Sequence, residues 1–170
     1  TAERLVSIEH LQALLRKNIS IFHIGSLGLT GDDDAKVWEN FATICKTQGI
    51  RISLDPNVRP ALIENPKSYR ARISRIISIA DILKLSDEDL EWLFPNLDQT
   101  QALSKINACS NAKILILTRG SKGSLVWHQG KWHSRKATTV NSLRDTVGAG
   151  DTFMGSILAW ISKKAKIENL

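Results

Sequence analysis

The sequence predicts an α/β fold: a doubly wound, Rossmann-like and mainly parallel sheet with helices on both faces. Short apolar runs of strand length alternate with segments of ten or more residues whose apolar side chains recur at helical spacing. This alternation is typical of βαβ units, whose crossover helices cover a parallel sheet. With 170 residues, 42% of them hydrophobic and 24% charged, we expect a single globular domain, 1–170.

The first half of the chain supplies three strands and two crossover helices. Strands are predicted at 18–24, 50–54 and 81–85, where short apolar runs occur. The apolar spacing of 32–48 predicts the first helix, and its acidic first turn suits the positive end of the helix dipole. A second apolar stripe, from Tyr69 to Ala80, predicts the next helix.

In the second half of the chain, a helix is predicted to begin at Ser86. Serine is a favoured N-cap residue, and Asp89 stands at the position of the reciprocal capping partner. A helix, a strand, an antiparallel hairpin and a closing helix should follow. They are predicted at 99–108, 113–117, 124–127 with 131–134, and 149–165.

Composition argues against several function classes. The net charge is +6, but the basic residues are scattered and do not alternate with aromatic residues, so nucleic-acid binding is not expected. No apolar run is long enough to cross a bilayer and no signal-peptide pattern is present, which favours a cytoplasmic protein without a membrane partner. Cys45 and Cys109 are expected to be ordinary buried thiols, and the four histidines lack metal-ligand spacing.

A glycine-rich segment before the last helix carries the clearest chemistry. Gly148, Ala149 and Gly150 let backbone N–H groups of the helix start approach a phosphate group closely. Asp151, in the first turn, could accept the proton of an attacking hydroxyl group. The same pattern also begins helices that bind nothing, so the segment alone leaves both interpretations open.

The longer segment resembles a family signature. Residues 145–155, read as DTVGAGDTFMG, are similar to the C-terminal signature of the PfkB, or ribokinase-like, carbohydrate kinases. Ser156 departs from the alanine or glycine usual in that family. Three further segments resemble family motifs in the family order: 55–60, 81–90 and 118–123. The stretch from Asp55 to Leu93 is most similar to bacterial fructokinases.

The resemblance implies roles for individual residues. Asp151 would be the general base, and Gly148, Ala149 and Gly150 would form the anion hole. The nucleotide-binding residues it implies are Thr118, Gly120, Ser121, Gly123 and Thr146. The other roles it implies are a sugar contact for Arg59, a water-mediated magnesium contact for Asp89 or Glu88, and a monovalent-cation site at Asp145 and the backbone of Val147.

Two of these assignments have open alternatives. Many family members have Asn-x-x-Glu where this chain has Ser86 and Asp89, and these two residues are equally well explained as a plain capping pair. Use of a monovalent cation such as K⁺ is also open. The 118–123 turn lacks the spacing of a Walker A loop, and only its place in the family order favours contact with ATP.

The resemblance further implies an ATP- and Mg²⁺-dependent kinase whose acceptor is fructose. Ribose, 2-keto-3-deoxygluconate or a nucleoside are alternative acceptors, and a non-catalytic nucleotide-binding module is the alternative from another class. Family members have an N-terminal sugar-binding and lid portion and a C-terminal end that this chain lacks. We therefore expect an incomplete ribokinase-like fold with little activity of its own; the full-length protein could be a homodimer.

Overall fold

The structure is a computed structural model, which describes residues 6–15, 18–139, 142 and 145–163. In these ranges six strands form one sheet in the order of the chain. The strands are β1 Ile21–Gly25, β2 Arg51–Asp55, β3 Ile82–Ser86, β4 Ile114–Thr118, β5 Ser124–His128 and β6 Lys131–Arg135. Strands β1 to β4 pair in parallel, and β5 and β6 add an antiparallel hairpin at the β4 edge. The predicted strands and hairpin are therefore confirmed.

Six α-helices accompany the sheet in the described ranges. They are α1 Ile8–Leu14, α2 Asp32–Thr47, α3 Pro66–Ile79, α4 Asp87–Leu93, α5 Gln99–Cys109 and α6 Ala149–Lys163. Helix α1 was not predicted; it is a short helix whose N-cap, Ser7, accepts a hydrogen bond from the amide of His10. The predicted last two residues of the closing helix, 164–165, lie outside the described residues.

The helices cover both faces of the sheet, as predicted, but unequally. One face packs against α1 to α5 and holds the larger core, with Leu54, Leu83 and Leu117 fully buried in it. The other face is covered by α6, whose Met154 and Ile161 pack on apolar residues of β3 and β4. Because the parallel strands follow chain order, every crossover between them lies on the same face. Only α6, which follows the hairpin, lies on the second face within the described residues.

One of the two thiol predictions is wrong. Cys45 is buried in α2, and burial raises the pKa of its thiol. Cys109 is exposed, because it is the final residue of α5 and lies one turn beyond Ile106, the last buried residue of the stripe formed by Ala102, Leu103 and Ile106. None of the helices in the described ranges has the length and apolar character needed to span a bilayer.

Gly25 ends β1, and it lies directly against the end of β2. Its backbone is extended, so it does not need glycine for a positive φ. A β-carbon at this position would instead overlap the carbonyl oxygen of Asp55 at the end of β2. The next residue continues the contact, since the amide of Ser26 donates to the carbonyl oxygen of Pro56 at 3.0 Å. The ends of the two strands are thus fixed by backbone contact.

Gly25→Ala should lower the free energy of unfolding by about 1–3 kcal/mol, because backbone atoms must move to admit the methyl group. Gly155→Ala is the matched control, since Gly155 lies within α6 and the added carbon would meet nothing within 4 Å apart from its chain neighbours and the helix's own backbone. The control should raise stability by about 0.5–1 kcal/mol through helix propensity. Urea unfolding of both variants measures the difference, and equal effects would contradict the close approach described.

Candidate active site

A cavity of 720 Å³ opens at the carboxyl edge of the parallel strands, beside the start of α6. Ligands of open α/β sheets bind at this edge because the loops after the strands and the helix N-termini meet there. The cavity wall contains most of the residues that the sequence singled out. These are Arg59, Glu88, Asp89, Thr118, Thr146, Val147, Gly148, Gly150 and Asp151.

The remaining expected residues lie outside this cavity wall. Gly120 and Ser121 are exposed in a single 3-10 turn after β4. Gly123 follows with a φ of +85°, and a β-carbon there would overlap the carbonyl oxygen of Arg135 in the hairpin. Asp145 and Ala149 line a second cavity on the other side of the α6 start, together with Trp160. The positive φ and the close approach of the hairpin therefore explain why position 123 is glycine, and its nucleotide-binding role stays a prediction.

The start of α6 is built around Gly148 and Asp145. Gly148 has a φ of +75°, which an L-residue with a side chain rarely adopts. Asp145 accepts a hydrogen bond from the amide of Val147 at 2.9 Å, and the amide of Ala149 donates to the carbonyl oxygen of Thr146 at 3.1 Å. These bonds close a turn that leads directly into the helix.

This turn changes which backbone amides are available to form the expected anion hole. The N–H of Ala149 is already engaged with Thr146, whereas the amides of Gly150 and Asp151, in the first turn, have no acceptor within the helix. These two amides lie at the positive end of the α6 dipole. The Asp151 side chain is exposed on the cavity wall, where a ligand can reach it. The arrangement suits a bound phosphoryl group next to a carboxylate base.

Asp89 is held in a capping box and also fastens a neighbouring loop. Its Oδ2 accepts from the amide of Ser86 at 2.8 Å, and the hydroxyl of Ser86 accepts from the amide of Asp89 at 2.9 Å. Its Oδ1 accepts from the amide of Val58 at 2.7 Å. The capping interpretation is therefore present in the structure, and the same carboxylate ties the loop after β2 to α4.

The carboxylates of the cavity differ in their access to a metal ion. Asp89 is 4% exposed with a backbone donor on each oxygen, whereas the neighbouring Glu88 is exposed. Among the described residues, no group of three or more His, Cys, Asp or Glu side chains could hold a metal by itself. Magnesium commonly takes only one or two carboxylates and completes its shell with water and substrate phosphates. The donor set thus fits a magnesium ion that arrives with a nucleotide.

Sequence reasoning missed an ion pair beneath the cavity. Lys84 Nζ donates to both carboxylate oxygens of Asp55, at 2.9 and 3.1 Å. Both side chains are 5% exposed. Burial raises the pKa of the Asp55 carboxyl, and the Lys84 ammonium acts in the opposite direction. One sequence feature could have revealed this pair: Lys84 is a single lysine inside the apolar strand 82–85. Strand alternation places it on the face opposite Leu83 and Leu85.

Comparison with known proteins gives consistent matches along the chain. A model of the pfkB family carbohydrate kinases matches residues 3–170. A fructokinase from Rhizobium leguminosarum bv. trifolii is 35% identical over 174 residues, which cover 100% of this chain and 50% of that protein.

Two solved structures extend the likeness to the fold. A fructokinase with bound ATP from Xylella fastidiosa superimposes with a TM-score of 0.84 at 27% identity, covering 96% of this chain and 51% of that one. A putative ribokinase II in complex with ATP and Mg²⁺ from E. coli gives a TM-score of 0.76 at 25% identity, covering 94% and 50%. The chain spans about half the length of the curated relatives it matches.

Asp89→Ala should destabilise the protein by about 2–3 kcal/mol, because it removes a cap and leaves the buried Val58 amide without its acceptor. Asp87→Ala, two residues earlier in α4, is the control and should cost about 0.5 kcal/mol through the helix dipole alone. Urea unfolding compares the two variants. Equal losses would mean that the bond to the loop contributes nothing.

Proposed function

The chain belongs to the pfkB family of carbohydrate kinases, and we propose that it is the nucleotide-binding part of an ATP-dependent sugar kinase whose acceptor is fructose. The supporting observation is the start of α6, where Gly150 and Asp151 face one cavity with Thr118 and Arg59. An anion-binding helix start and a carboxylate at the same wall are what transfer of a phosphoryl group to a hydroxyl requires.

The proposed reaction transfers the γ-phosphoryl group of ATP to a sugar hydroxyl. The hydroxyl oxygen forms a bond to the γ-phosphorus, while the bond between that phosphorus and the oxygen bridging to the β-phosphate breaks and its electron pair leaves with ADP. Asp151 takes the hydroxyl proton as the new bond forms. The amides of Gly150 and Asp151 stabilise the negative charge on the transferred oxygens. Glycine at position 148 lets the phosphoryl group come close to these amides.

Nucleotide and metal contacts follow from the same cavity. Thr118 and Thr146 line it and are proposed to contact ATP, together with the turn at Gly120, Ser121 and Gly123. When bound, Mg²⁺ would neutralise charge on the phosphates, and Glu88 is the better placed carboxylate to hold one of its waters. Asp89 is a weaker candidate, because both of its oxygens already accept backbone hydrogen bonds.

A monovalent-cation site and a sugar contact complete the proposal. Asp145 lines the neighbouring cavity beside Val147, where K⁺ would be held close to the start of α6. Arg59 folds onto its own loop, donating to the carbonyl oxygens of Asn57 and Val58 at 3.3 and 3.2 Å. Arg59 lines the cavity and is proposed to contact the sugar or its phosphate.

The acceptor assignment rests on likeness to proteins named fructokinase, such as the Rhizobium protein. The likeness to a putative ribokinase II keeps ribose in consideration, with 2-keto-3-deoxygluconate and nucleosides as further alternatives. A non-catalytic nucleotide-binding module is the alternative outside the enzymes. Phosphorylation assays of the full-length protein with each acceptor distinguish these alternatives, since a non-catalytic module would form ADP with none of them.

Asp151→Asn in the full-length protein should lower kcat by about 10²–10⁴-fold, because the amide cannot accept the hydroxyl proton. A coupled assay of ADP formation measures the loss. Asp33→Asn is the matched control, because it also removes a carboxylate from the first turn of a helix but lies on the surface of α2. The control should keep wild-type kcat, and comparable rates for the two variants would exclude Asp151 as the base.

The 170-residue chain alone should phosphorylate sugars at no more than a trace of the full-length rate. Positioning of the acceptor and exclusion of water supply much of the rate enhancement in phosphoryl transfer, and both are proposed to need the rest of the protein. Side-by-side assays with fructose at equal concentrations of the two proteins test this. Full activity of the short chain would refute it.

A further inference from the structure

Lys84 brings an ammonium group into the sheet at the carboxyl ends of two neighbouring strands. Its neighbours Leu83 and Leu85 pack into the core beneath α2 to α5, so alternation sends Lys84 to the opposite face, where α6 begins. Strand register brings it beside Asp55, one step beyond the paired Leu54 and Leu83. Nζ lies 2.9 and 3.1 Å from the two carboxylate oxygens of Asp55.

Stability alone is a poor explanation for this pair. Taking two charges out of water offsets most of their attraction, so apolar residues of similar volume commonly stabilise a core at least as well. Both side chains are almost fully buried, at 5% exposure each. The raised pKa of the Asp55 carboxyl reflects the same cost of burial. The position of the ammonium is better explained by the group that it faces.

Lys84 faces the first turn of α6. A β-carbon on Gly150 would lie 3.3 Å from Nζ, closer than ordinary van der Waals contact. Gly148 needs glycine for its positive φ, but Gly150 does not have a positive φ. The missing side chain at 150 therefore allows the ammonium to lie against the helix start. Two of its three N–H donors point to Asp55, and Lys84 also lines the cavity with Asp151.

We propose that Lys84 is a positioning residue for phosphoryl transfer, held by Asp55 so that its ammonium fixes the first turn of α6 and adds positive charge behind the Gly150 amide. Negative charge builds on the transferred oxygens beside this amide, and a fixed cation in a water-poor site stabilises it without reorganisation. The inference rests on the proposed function and assigns a further residue to the same site.

The test separates charge from folding with two variants of the full-length protein. Lys84→Met leaves the Asp55 carboxylate buried without a partner, so it should lower both Tm and kcat. Lys84→Met combined with Asp55→Asn removes the unpaired charge and should restore Tm to near the wild-type value. In the double variant kcat should remain about 30-fold or more below wild type, with the KM for the sugar changed less than about 3-fold. Recovery of kcat together with Tm would show a purely structural role and overturn the proposal.

A binding measurement provides a readout that does not depend on the acceptor. Calorimetry compares the affinity of wild type and the double variant for Mg·ADP alone and for Mg·ADP with aluminium fluoride, which imitates the transferred group. The double variant should bind the fluoride complex about 10-fold or more weakly and Mg·ADP within about 3-fold of wild type. Equal weakening of the two complexes would overturn the role of Lys84.

The outcomes for wild type keep the two proposals apart. A wild-type protein that forms the fluoride complex but phosphorylates no sugar contradicts the sugar-kinase assignment, and the comparison of complexes still decides the role of Lys84. A wild-type protein that binds no nucleotide contradicts both.

Lys46→Met is the matched control. Lys46 Nζ lies 2.6 Å from Asp81 Oδ1 and forms a partly buried Lys–Asp pair at the opposite, amino edge of the sheet. This variant should lower Tm and leave kcat unchanged. A loss of kcat similar to that of the Lys84 and Asp55 double variant would mean that any weakened ion pair in the sheet impairs transfer.

Discussion

The ion pair between Lys84 and Asp55 lies where the scaffold of this protein meets its candidate site. Asp55 ends β2, and its backbone crowds the end of β1 so closely that only glycine fits at position 25. Lys84 reaches from β3 to the first turn of α6, where Gly150 has no side chain to obstruct it. The buried pair therefore contacts the ends of β1, β2 and β3 and the start of α6, and these contacts connect the four elements. In the proposed function, their relative placement decides where the phosphoryl group would be held.

A second carboxylate fixes the opposite wall of the cavity. Asp89 closes the capping box of α4 and at the same time binds the amide of Val58 in the loop after β2. The loop that carries Arg59 is therefore attached to the helix that carries Glu88. This double use explains why the side chain is buried although it stands in the first turn of a short helix. For the proposed magnesium contact, it also favours the exposed Glu88 over Asp89, because both Asp89 oxygens already accept backbone hydrogen bonds.

The sequence was sufficient for the strands, because runs such as 114–117 and 82–85 have the length and apolar content of buried strands and are separated by helical spacing. The helix α1 was missed, since seven residues give too short a stretch for its periodicity to stand out. Most of the cavity wall was anticipated from motifs, but the bond between Ala149 and Thr146 was not. Turn geometry decides which amides remain available, and a sequence pattern does not specify it. Likewise, Lys84 meets Asp55 only through strand register, which pairs residues 29 positions apart.

The most direct test of the proposed site is a crystal structure of the full-length protein with Mg·ADP, aluminium fluoride and fructose. We expect the fluoride group between the Asp151 carboxylate and the amide of Gly150. A fructose hydroxyl should lie within hydrogen-bond distance of Asp151, and Lys84 Nζ should lie beneath the first turn of α6. A nucleotide bound elsewhere, or a fluoride group that contacts neither Gly150 nor Asp151, would contradict the assignment of this cavity as the site of phosphoryl transfer.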